Sequence, residues 1–97
     1  MIKVIIENNK IEVKGHANYD EYGKDIVCAS VSTLVAKTIN DSIDVDKDSI
    51  LYEEEENKIK IEIKNNNEIV KKLINNMVLM LEDLEKDYPK NIKILRR

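Results

Sequence analysis

Twice along the chain, two short runs of alternating apolar residues precede a longer run with helical spacing. That repetition constrains the fold more than any other feature. Residues 2–6 read Ile-Lys-Val-Ile-Ile and place Ile2, Val4 and Ile6 on one face of a strand. Asn8-Asn9 follows, and asparagine tolerates the positive φ of a two-residue hairpin turn. Lys10–Lys14 alternates again, with Ile11 and Val13 inward, and delivers Gly15-His16. The second pair of strands is expected at 50–54 and 58–64, with Ile59, Ile61 and Ile63 on one face and a turn near Glu55-Glu56-Asn57.

Each pair is followed by a helix. Asp25 reads as an N-cap for a helix to about Asn40, with Val27, Val31, Leu34, Val35 and Thr38/Ile39 on one face. Residues 17–24 form a polar loop ahead of it, and 41–48 a polar connection after it. Asn65-Asn66-Asn67 caps a second helix over 67–86, whose stripe is Val70, Leu73, Ile74, Met77, Leu81 and Leu84. Tyr88-Pro89 ends it, because the residue before proline avoids the helical region, and 92–95 is a short last strand. The order ββαββαβ makes one α+β domain over 1–97, a mixed or antiparallel sheet packed with two helices.

Composition narrows the function. Phe and Trp are absent, so Ile, Val, Leu and Met must build the core. A net charge of −3 argues against a sequence-independent nucleic-acid binder, which needs a basic face, and Lys93, Arg96 and Arg97 are too few to supply one. One cysteine excludes an intramolecular disulfide framework and fits a reduced, cytoplasmic setting. The start of the chain lacks a signal-peptide apolar region, and no apolar run approaches the ~20 residues that span a bilayer.

The chemistry-bearing residues gather in one stretch. Residues 15–32 hold the only histidine, the only cysteine and both glycines. A free cysteine in a small domain is usually a buried small hydrophobe. Three features point Cys28 elsewhere. It falls in the first turn of the expected helix, where the dipole favours a thiolate. Backbone N–H groups there, such as those of Cys28 and Ala29, are free to hold an oxyanion. His16 is separated from it by a loop long enough to fold back, and a thiol with an imidazole base is the minimum for nucleophilic acyl transfer. Gly15 lets backbone or substrate approach closely, and Gly23 closes the loop as a second hinge. Ser32 lies one helical turn from Cys28 and either bonds substrate or bonds back to its own helix. Asp25 either caps the helix, opposing the thiolate, or orients His16 or substrate.

Other motifs are weaker. Asp44, Asp46, Asp48 and Glu55 mimic ligand positions of a calcium loop, but Ser49 stands where the turn needs glycine, and a solvated acidic loop is the simpler reading. One His and one Cys are too few for a closed zinc site, so no cofactor is expected. Residues 53–56 are four glutamates, a charged hairpin tip that discourages edge pairing and attracts basic substrates as any acidic surface does. A thiol redox sensor would need a resolving cysteine, which the chain lacks. A small ribosome- or RNA-associated module with a packed Cys28 is the alternative from another class, but neither a basic cluster nor a Gly-x-x-Gly clamp is present.

Gly15-His16-Ala17, a loop, then Gly23-Lys24-Asp25-Ile26-Val27-Cys28-Ala29-Ser30-Val31-Ser32 resembles the ribosomal-processing cysteine protease (Prp) family of Firmicutes and relatives. The twelve-residue offset from His16 to Cys28 matches as well, and Ser30 stands where the family often has Gly or Ala. The resemblance implies a protease that removes the N-terminal extension of large-subunit ribosomal protein number twenty-seven, after a hydrophobic, Phe-containing sequence. It implies Cys28 as nucleophile, His16 as general base and acid, and Asp25 and Ser32 as supporting polar residues. It implies a mobile segment at 17–24 that substrate orders, and a homodimer.

Overall fold

A computed structural model describes the backbone of residues 1–15 and 22–97, and the side chains of 1–15 and 26–97. The elements are β1 (Ile2–Glu7), β2 (Lys10–Lys14), α1 (Tyr22–Val45), β3 (Ile50–Glu55), β4 (Lys58–Ile63), α2 (Glu68–Asp87) and β5 (Ile92–Arg96). The expected ββαββαβ order is observed.

The sheet runs β3-β4-β2-β1-β5. β1–β2, β2–β4 and β3–β4 pair antiparallel, while β1–β5 pair parallel, so the sheet is mixed. Asn8 adopts φ 51° in the first hairpin turn, the left-handed conformation that a tight Asn-Asn turn needs. Both helices lie on one face. Ile2, Val4, Ile11, Val13, Ile50, Ile61 and Ile92 point from the sheet toward Val27, Val31 and Val35 of α1 and Val70, Ile74, Met77 and Leu81 of α2. β-branched side chains on the sheet and longer ones on α2 fill the space that aromatic rings fill elsewhere. Ile5 is also buried although it faces away from the helices, beside Leu95 by register.

α1 is longer at both ends than its sequence suggests. Its start moves to Tyr22, because Gly23 weakens a first turn without forbidding one. Asp25 is therefore a residue of the helix and not its N-cap. At the other end, residues 41–45 continue the helix. Ser42 is fully buried and its hydroxyl donates to the Thr38 carbonyl at 2.7 Å, and the Thr38 hydroxyl donates to the Leu34 carbonyl at 2.9 Å. The polar side chains that resemble a connection are absorbed by the helix's own backbone.

α2 has the expected cap. The Asn67 side chain accepts from the Val70 N–H at 3.0 Å, worth about 1 kcal/mol. The helix ends at Tyr88, whose N–H bonds the Leu84 carbonyl. The Glu85 carboxylate accepts the Ile94 N–H at 2.9 Å and so covers part of the outer edge of β5. No described helix is long and apolar enough to cross a membrane.

Candidate active site

The site grows from the end of β2. β2 pairs with β4 so that Lys14 lies opposite Lys58, and the β3–β4 turn comes level with Gly15. The Gly15 N–H donates to the Asn57 carbonyl at 3.0 Å. Gly15 has φ +82°, and a Cβ there would sit 2.5 Å from the Met1 carbonyl oxygen. Only glycine meets both demands, positive φ and close backbone approach. Three distant segments are thus pinned at the residue that precedes His16.

α1 crosses beside this point. Cys28 and Ser32, one turn apart, line a cavity of about 220 Å³ with Gly15, Val13 and Ile59. Val31 and Val35 close its inner side, so the floor is apolar. Cys28 is half-buried and free, and Ser32 is exposed. The Cα–Cβ bond of a helical residue tilts toward the helix N-terminus, so the Cys28 thiol leans over the preceding turn.

The acidic tip of the β3–β4 hairpin forms the remaining wall. Glu54, Glu55, Glu56, Asn57 and Lys58 all line the cavity. From the sequence these glutamates are a charged hairpin tip with no link to Cys28. The signal that finds them is the β2–β4 register, a non-local pairing that no stretch of sequence announces by itself. Lys58 is committed in part to Glu55, 3.6 Å away.

The other expected site residues are placed as follows. Gly15, Cys28 and Ser32 come together. Ala29 does not join them; it borders a separate hollow with Thr33 and Met80. In a helix that begins at Tyr22 the N–H groups of Cys28 and Ala29 lie inside the i→i−4 ladder, so they are not the free donors expected from a start at Asp25. The free N–H groups of the described helix belong to residues 22–24 of the first turn. Gly23 is a residue of that turn and not a hinge outside the helix. His16 and residues 17–21 of the expected loop lie outside the described residues, as does the Asp25 side chain.

The calcium-loop spacing is used otherwise. Asp44 belongs to α1 and Glu55 to β3. Asp46 accepts the Asp48 N–H at 3.0 Å and the side-chain amides of Asn65 at 3.1 Å and Asn67 at 3.4 Å.

A half-buried thiol in an apolar-floored cleft, on a helix packed against a mixed ββαββαβ sheet, is the arrangement of a small α+β domain with a candidate nucleophile. The family model described as Cysteine protease Prp matches residues 1–93, and the chain belongs to that family of cysteine proteases. The ribosomal processing cysteine protease Prp of Bacillus subtilis strain 168 is 31% identical over 93 residues, covering 86% of this chain and 80% of that protein. Its namesake from Staphylococcus aureus strain Mu50 is 30% identical over 83 residues, covering 82% and 78%. Two crystal structures of the S. aureus protease share the fold over the whole of both chains. The complex with a covalently linked product peptide has a TM-score of 0.89 at 26% identity. The complex with a substrate peptide has 0.91 at 25%.

Proposed function

We propose that this protease removes the N-terminal extension of large-subunit ribosomal protein number twenty-seven, through a Cys28/His16 dyad and an acyl-enzyme. The observation that carries the reading is the position of Cys28 in the cleft beside Gly15, the residue joined to His16. Relatives of the same family are named for ribosomal processing.

His16 takes the Cys28 proton, and the thiolate attacks the scissile carbonyl. Backbone N–H groups near the start of α1 hold the oxyanion. His16 then gives its proton to the leaving amine, and water releases the acyl-enzyme. Ser32 holds the substrate backbone or the dyad one turn along, and Asp25 orients His16 or binds substrate. The apolar floor, with Val31, Val35 and Ile59, takes the hydrophobic side chains before the cut. The enzyme acts in the cytoplasm as a homodimer, needs no cofactor and binds no nucleic acid directly.

Mass spectrometry tests this with a synthetic peptide spanning the host's own ribosomal-protein N-terminus. Wild type is expected to make one cut, and Cys28→Ala and His16→Ala none, with all three proteins folded by circular dichroism. A folded wild type that leaves an authentic extension peptide intact overturns the assignment.

A further inference from the structure

The glutamates at the β3–β4 tip do not all point the same way. Along β3, Ile50 is buried in the core, and side chains alternate faces. Tyr52 and Glu54 therefore share the helix-side face with Ile50, opposite Ile61 and Ile59 respectively. Glu53 belongs to the outer face and does not line the cleft, while Glu55, next to the turn, still reaches it. Glu54 is thus a carboxylate at a register position that carries Ile or Val along β1, β2 and β4. Charges on an edge strand, inward-pointing ones included, protect it from pairing, and both Glu53 and Glu54 serve that end on β3. Glu54 differs in that it also stands at the mouth of the cleft that holds Cys28.

The cleft mouth is also unbalanced. Glu54, Glu55 and Glu56 line it, and Lys58, on Glu55, is the one lysine among the described residues that does so. An apolar floor with one anionic wall suits an extended peptide that has a cationic side chain close to its apolar ones. The S. aureus relative was solved with a substrate peptide and with a covalently linked product peptide, which supports a peptide as the occupant.

We propose that Glu54, with Glu55 and Glu56 beside it, selects substrates carrying a lysine or arginine within roughly four residues of the scissile bond, a reach set by the ~3.3 Å rise of an extended chain. The proposal rests on the peptidase reading above. The wall acts on binding and leaves the chemistry at Cys28 alone, so it is read in KM and not in kcat. An exposed ammonium–carboxylate pair shifts affinity by a factor of about five, and salt screens it.

The test uses the cleaved peptide with each position near the cut replaced in turn by Lys, Gln or Glu. At one position wild type is expected to rank Lys above Gln above Glu, about tenfold from first to last in kcat/KM. Glu54→Lys is expected to invert that order, and Glu53→Lys, on the outer face, to leave it. High salt is expected to compress the difference. A ranking that Glu54→Lys does not change, or that Glu53→Lys changes equally, overturns the proposal. Binding of the same peptides to Cys28→Ala, read by fluorescence anisotropy, separates the two readings. Cation preference without a cut overturns the proteolytic assignment alone, and a cut without cation preference overturns the role of Glu54 alone.

Discussion

Gly15 shows how much one residue carries. Its N–H ties β2 to the β3–β4 turn, its φ is closed to most L-residues, and the Met1 carbonyl fills the space of a Cβ. Gly15→Ala is expected to destabilise the fold by about 1–3 kcal/mol in urea unfolding, through strain at positive φ and displaced backbone. Peptide cleavage is expected to fall further than stability, because the displaced residue adjoins His16. Unchanged stability and activity would show that Met1 gives way without cost. At this scale the sequence was legible where neighbours are local. Cys28 and Ser32 meet because i and i+4 meet on any helix. Glu54 was read only as charge, because its place in the cleft depends on β4 pairing with β2 and on which face of β3 looks inward.

Among the elements, the α1–β3 connection is held by Asp46. The Asp48 N–H first, then the Asn65 amide, hold its carboxyl below the ordinary carboxylate value; partial desolvation opposes them and Asn67 adds to them. A carboxyl depressed in the folded state contributes stability above its unfolded pKa, about 4, and loses it as pH falls through the lower folded value. Asp46→Ala is expected to lower the Tm at neutral pH and to shrink the further loss on acidification below about pH 4. Parallel acid limbs for variant and wild type, in thermal melts across that range, would exclude this linkage. Helix ends were the least legible part of the sequence. Residues 40–42, Asn-Asp-Ser, look like a break, yet Ser42 is buried in the helix and Ile43 packs against the core. α2 was legible to within a residue because Asn67 and Tyr88-Pro89 mark its ends with local chemistry.

For the whole molecule, element order and the two ββα halves followed from periodicity, while strand order did not. β3-β4-β2-β1-β5 depends on which apolar strips meet across the sheet, and alternation alone is the same for every strand. The proposed homodimer belongs to this scale. Ile26, Leu79 and Met80 are exposed on the helix layer, the outside of the one covered face of the sheet. Sedimentation velocity is expected to give twice the mass of a single chain at micromolar concentration, and a monomer there would remove the dimer from the functional reading.

The parallel pairing of β1 with β5 sets a timetable. A ribosome makes β1 first among the strands and β5 last, yet the two are neighbours, joined through Arg97 N–H to the Ile6 carbonyl at 2.8 Å. During synthesis β1 acquires β2 at once and waits for its second partner until α2 has been made. Throughout that interval Ile2, Val4 and Ile6 line an open margin, the kind of surface on which unfinished chains join one another. Completion of this fold therefore waits for the synthesis of β5.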